Sequence, residues 1–147
     1  AHDETGFPTN NNVEIEKLAE RQHRKLEMAR DEIVEVVANH CDDAKIGVFA
    51  YGCTARSANQ AVEEARQKGI AAGLLRPRTI WPFPDVELLE LADKVDTIIV
   101  PELARGQIAH EVEWAVRGKC RVESLGRIDG QPIRPVQILE MIEAAAK

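Results

Sequence analysis

Residues 45–69 read KIGVFAYGCTARSANQAVEEARQKG, one complete strand, turn and helix with chemically marked boundaries. Ile46 to Tyr51 is a continuous apolar run, the pattern of a strand covered on both faces as in parallel sheets. Gly52, Cys53 and Thr54 form a small-residue turn, with Thr54 placed to accept a first-turn amide as the helix N-cap. In the helix, Ala58, Ala61, Val62 and Ala65 recur at i, i+3, i+4 and i+7 and make one apolar face, and Gly69 stops it. This is half of a βαβ unit.

Working outward, Ile70 to Leu75 is a second apolar run and the natural partner strand. The segment Arg76 to Pro84 follows as a loop, because its proline spacing opposes regular pairing. Pro84 opens a helix with Leu88, Leu91, Ala92 and Val95 as its stripe. Thr97 to Val100 is a third strand, stopped by Pro101. A helix from Gln107 to Arg117 buries Ile108, Val112, Ala115 and Val116. Cys120 to Leu125 alternates as a half-exposed edge strand, and Pro135 opens a last helix facing inward through Ile138, Leu139 and Ile142. On the N-terminal side, Val13 to Val37 reads as one long helix of about 38 Å, its start marked by Asn11 and Glu14. Residues 1–12 read as an irregular linker from a preceding domain, and 13–147 as a single domain.

Strands alternating with helices predict a three-layer α/β/α architecture around a mainly parallel sheet of four to five strands. The expected order is second, first, third, fourth, with the switch point between the first and third strands.

The 147 residues are 44% hydrophobic and 30% charged with a formal net charge of -6, a balance that opposes non-specific nucleic-acid binding. No apolar run approaches the roughly 20 residues that a membrane span needs, and the expected location is the cytoplasm. Cys41, Cys53 and Cys120 are too widely spaced to build a zinc site or an iron–sulfur cluster by themselves.

Several residues are candidates for chemistry or contact. Gly52, Cys53 and Thr54 at a helix N-terminus, with Arg56 in its first turn, suit an anion or a protein contact. A nucleophilic Cys53 would need a base such as His110. His110-Glu111 begins like a metalloprotease helix, but Trp114 stands where the second histidine would be, which excludes that chemistry. Arg76, Arg78, Glu102 and Arg105 fall in loops at the C-terminal ends of strands, where open α/β sheets bind ligands. Trp81 and Phe83 offer rigid aromatic area in a proline-stiffened loop, the material of interface hot spots.

Four motifs in order, GCT at 52–54, R-x-R-T-I-W-P-F-P at 76–84, VPE-x-x-x-GQ at 100–107 and R-I-D-G-Q-P-I-x-P at 127–135, give the chain a resemblance. It resembles the C-terminal, transketolase-C-like domain of the alpha subunit of 2-oxoacid:ferredoxin oxidoreductases, most like the 2-oxoglutarate type. The resemblance implies a complete enzyme that uses thiamine diphosphate, magnesium and iron–sulfur clusters, captures the acyl group as a CoA thioester and passes electrons to ferredoxin. It implies as partners a beta subunit and the N-terminal domain of the alpha subunit, which between them hold the thiamine cofactor. No catalytic residue, metal or cofactor is therefore expected on this chain, whose role would be structural and at subunit interfaces. Relatives often carry Asn where this chain has Ala104. The competing expectation is a stand-alone flavodoxin-like binder of nucleotides or other anions.

Overall fold

A computed structural model describes all 147 residues. Helix α1 spans Asn12–Met28 and a one-turn α2 spans Arg30–Ile33. Then come β1 Val36–Asn39, β2 Ile46–Phe49, α3 Thr54–Gln67, β3 Ala72–Pro77, α4 Asp85–Ala92, β4 Thr97–Glu102, α5 Gln107–Val116, β5 Arg121–Gly126 and α6 Pro135–Ala145. The sheet order is β1-β3-β2-β4-β5, with β1 antiparallel to β3 and every other pair parallel. The four parallel strands stand in the predicted order, and the chain reverses its winding between β2 and β4.

Both faces of the sheet are covered, which is why the central strands are apolar at every position. On one face Ile46, Val48, Ala50, Leu74 and Ile99 meet the alanine face of α3 and Ile138, Leu139 and Ile142 of α6. On the other, Phe49, Leu75, Ile98 and Val100 meet Leu88 and Leu91 of α4 and Val112, Ala115 and Val116 of α5. The small side chains of Ala58, Ala61 and Ala65, all fully buried, let α3 lie close to the strands.

The N-terminal helix does not run to Val37. It ends at Met28, and the chain re-forms as an antiparallel edge strand at Val36–Asn39. The run Ile33-Val34-Glu35-Val36-Val37 is β-branched at every place but Glu35, a pattern that favours an extended chain over a helix. Long-range pairing then decides the outcome. Val36 lies opposite Pro77 and Asn39 opposite Leu74, while Thr79 Oγ1 donates to Ile33 O at 2.7 Å and accepts from Glu35 N at 3.3 Å. Arg30 holds α2 against the start of α4, donating to Asp85 Oδ1 at 2.8 Å and Glu87 Oε2 at 3.1 Å. Asn11 caps α1 as its position predicts, its Oδ1 accepting Val13 N at 3.0 Å.

Strand β4 also differs from expectation, because Pro101 lies inside it. Glu102 O accepts from Arg127 N, so Glu102 faces β5 and the preceding residue faces β2. Pairing with β2 has already ended at Ile99. The missing proline N–H therefore breaks no ladder bond.

Candidate functional site

The parallel strands end together at one edge of the sheet, which carries the turn 51–54, the loop 78–84 and the loop 103–106. Arg76 and Pro77, expected in the loop, instead extend β3, where they pair with Val37 and Val36 of β1. Strand β2 leads into Tyr51, and Gly52 follows with φ +55°, the left-handed region that favours glycine. Thr54 does not cap α3. It is buried as the first helical residue, while Cys53 occupies the cap position without a side-chain bond. Cys53 is an exposed free thiol and Cys41 a buried one. Burial pushes the Cys41 thiol up, and its Sγ donates to Leu74 O at 3.3 Å.

Glu102 is corrected most sharply. It is not a surface acid waiting for a partner: it is 0% exposed. Its Oε2 accepts Ile108 N and its Oε1 accepts Ala109 N, both at 3.1 Å. The carboxylate thus satisfies two first-turn amides of α5 and sits at the positive end of that helix. Gly106, at φ +87°, turns the chain into α5, and Gln107 Oε1 accepts Arg105 N at 3.0 Å. The glutamate, glycine and glutamine of the VPE-x-x-x-GQ motif are therefore a built helix start. Burial first, then the neighbouring Glu102 charge and Cys53, push the Tyr51 phenol up.

The R-I-D-G-Q-P-I-x-P motif has an architectural explanation too. Arg127 grips Asp129 with Nε at 2.6 Å and Nη2 at 2.9 Å, and Asp129 Oδ1 accepts Gln131 N at 3.2 Å. Hydrogen bonding to Arg127, then to the Gln131 amide, lowers the Asp129 carboxyl to about 2. Ile133 plugs the core at 2% exposure. Gln137 Oε1 accepts Arg134 N at 3.0 Å, and Pro135 opens α6.

In the loop after β3 the two aromatic candidates part company. Phe83 packs on Phe49 with ring centroids 5.9 Å apart, and so lies half-buried against the core. Trp81 is 69% exposed. It shares a cleft of about 410 Å³ with Trp114 of α5, which is 73% exposed, and with His23 and Leu26 of α1. Trp114 lies off the Ile108–Val112–Ala115 stripe, so helical spacing already points it away from the core. Arg78 is not free, since its Nη1 pairs with Glu35 Oε1. Arg105 is exposed. Arg56 and Arg76, far apart in sequence, line one cleft beside α3 above β1 and β3.

Across the chain no three His, Cys, Asp or Glu side chains converge as a metal site, and the three cysteines lie on the β1–β2 turn, the start of α3 and the approach to β5. The donor set fits neither a resident magnesium ion nor an iron–sulfur cluster.

Residues 44–138 match the family model described as pyruvate:ferredoxin oxidoreductase core domain II. The 2-oxoglutarate synthase subunit KorA of Methanothermobacter marburgensis is 41% identical over 142 residues, covering 96% of this chain and 38% of that protein. Among solved structures, the 2-oxoglutarate:ferredoxin oxidoreductase from Magnetococcus marinus, with 2-oxoglutarate, coenzyme A and succinyl-CoA bound, superposes with a TM-score of 0.79 at 19% identity, over 99% of this chain and 26% of that one. A split gene transketolase, an inactive beta4 tetramer, superposes at 0.66 and 15% identity over 76% of this chain and 41% of that one. The fold is thus the transketolase-C-like three-layer α/β/α arrangement. This chain spans 38% of the KorA relative. On the family match over well more than half its length, the chain belongs to the pyruvate:ferredoxin oxidoreductase core domain II family.

Proposed function

We propose that the chain is the domain II portion of the alpha subunit of a 2-oxoglutarate:ferredoxin oxidoreductase, with a structural and subunit-interface role and no catalysis by itself. The substrate class follows from the KorA relative, whose match extends over 96% of this chain. The partners are a beta subunit and the N-terminal domain of the alpha subunit, with ferredoxin as the electron acceptor of the assembled enzyme, in the cytoplasm. In that enzyme thiamine diphosphate supplies the carbanion chemistry and CoA takes the acyl group. No helix of this chain is long and apolar enough to cross a membrane.

One observation carries the interface role. The chain has two tryptophans, and both stand about 70% exposed around the same cleft. Tryptophan brings the largest apolar area of any side chain and is enriched in interface cores. Two of them left in water on one cleft cost solvation that a partner would recover. The family motifs support the same reading by subtraction. Glu102, Gly106, Arg127, Asp129, Ile133 and Phe83 are accounted for by helix starts, turns and core contacts, which leaves Trp81 and Ile128 as the large apolar motif residues on the surface.

The direct test is reconstitution. Turnover of 2-oxoglutarate with CoA and a viologen acceptor is expected only when the beta subunit and the remainder of the alpha subunit are added. Turnover by the purified 147-residue chain alone would overturn the proposal.

A further inference from the structure

The geometry points to an anion-binding site in the cleft between α3 and the β1–β3 pair, built for a phosphate-bearing ligand of about nucleotide size. It goes beyond the interface role and does not depend on it.

The sheet register makes the floor. Val37 lies opposite Arg76 and Asn39 opposite Leu74, so these four side chains share one face, because alternate residues of a strand point the same way. Ala55, Arg56 and Asn59 of α3 supply the wall. The cleft is open to solvent, and its volume of about 520 Å³ falls within the roughly 300–1,000 Å³ of small-molecule pockets. It spans only three residues of each strand, about 7 Å, which suits a compact ligand better than an extended peptide.

The only charged side chains that line this cleft are two arginines. Arg56 and Arg76 carry five N–H donors each and no acceptor, and neither is among the ion-paired arginines, which are Arg30, Arg66, Arg78, Arg121 and Arg127. Asn39 Nδ2 donates to Asn59 Oδ1 at 3.0 Å, which occupies the Asn59 oxygen and leaves its amide hydrogens for the cleft. The nearby carboxylate, Glu63, is held on the rim by Asn39 Nδ2 at 3.2 Å and His40 Nε2 at 3.1 Å. No acid lines the cleft itself. Two guanidinium groups suit phosphate oxygens bidentately, while the exposed side chain of Val37 offers apolar surface beside them for a base or similar ring. Against the net charge of -6, a cleft whose only charged side chains are arginines stands out from its surroundings.

The experiment titrates the 147-residue chain with adenosine 5′-diphosphate, inorganic pyrophosphate and adenosine at low salt, by calorimetry and by amide NMR shifts. Saturable one-to-one binding of the diphosphate is expected, weakening as salt screens it, with shifts confined to residues 37–39, 55–59 and 74–76. Pyrophosphate should bind more weakly and adenosine not measurably. Arg56→Gln and Arg76→Gln should each weaken binding at least tenfold, Arg76→Lys less, and the exposed Arg117→Gln not at all. Thermal unfolding of each variant, run alongside, should be unchanged because both arginines are exposed. Adenosine binding as tightly as the diphosphate, or both glutamine variants binding as wild type, would overturn the site. So would absence of saturable binding by any of the three compounds, and failed subunit assembly in Arg56→Glu would then make the cleft a seat for an acidic side chain of a partner.

Discussion

Glu102 shows how much one residue decides. Read along the chain it follows a proline at a strand end and resembles a ligand or partner contact. In the fold it is sealed from water and holds the first turn of α5 through two amides. Hydrogen bonds to a charged group contribute roughly 1.5–3 kcal/mol, so Glu102→Ala, which orphans both amides and opens a cavity, should cost about 3 kcal/mol in urea unfolding. Glu102→Gln, which keeps one acceptor oxygen, should cost about half of that. An alanine variant as stable as wild type would show that the carboxylate is not the cap it resembles. A companion test concerns Gly126, where an added Cβ would lie 2.6 Å from the Ala104 carbonyl oxygen. Gly126→Ala must displace the 102–106 loop from β5, and a loss of about 1–3 kcal/mol is expected from such overpacking. What hid Glu102 was burial: spacing gives the order of residues, but not that β4 continues through Pro101 and carries the next side chain inward.

At the scale of elements, the legible parts are those whose signal is local. The apolar run of β2, the alanine face of α3, the stripes of α4 and α5, and Pro135 at α6 are all properties of adjacent residues. The strand at Val36–Asn39 depends on residues 74–79, far along the chain, so helix-compatible spacing from Ile33 to Val37 misleads. The same locality limits what the sequence says of the site. Arg56 and Arg76 are each recognisable as cations at loop or helix starts, whereas their meeting in one cleft is set by sheet register. Helix α1 has no buried residue and little to gain from packing within this chain, and short helices without tertiary support are marginal. Trypsin should therefore cut at Arg21, Arg24 and Lys25 well before it cuts within α3, and equal resistance of the two helices would contradict this. The 127–134 turn makes a pH prediction. The Asp129 carboxyl is depressed from 3.8 to about 2, so its ion pair stabilises the turn fully above the ordinary carboxylate range, and that contribution is lost as pH falls through about 2. Carboxyl NMR should find the titration there, and Arg127→Gln should move it up toward the ordinary value.

For the whole molecule, the loop after β3 holds one aromatic ring packed against the core and one left on the surface, and the proposed interface role rests on the second. Phe83 and Trp81 look equivalent in sequence, both aromatic and both beside prolines. Phe83→Ala removes a ring packed on Phe49 and should destabilise the chain by about 2 kcal/mol while leaving assembly of the folded fraction intact. Trp81→Ala with Trp114→Ala removes exposed rings. It should change stability by less than about 1 kcal/mol and weaken association with the beta subunit and the rest of the alpha subunit at least tenfold in sedimentation. A stability loss without an assembly defect would return both tryptophans to the core. The central claim, that the strand-end edge is where this domain meets the remainder of the enzyme, is tested most directly by hydrogen–deuterium exchange, comparing the 147-residue chain alone with the reconstituted complex. Marked protection on assembly is expected in residues 76–84 and 101–107 and around Trp114, with β2 and α3 little changed. Identical exchange of those loops in the free chain and the complex would contradict the account.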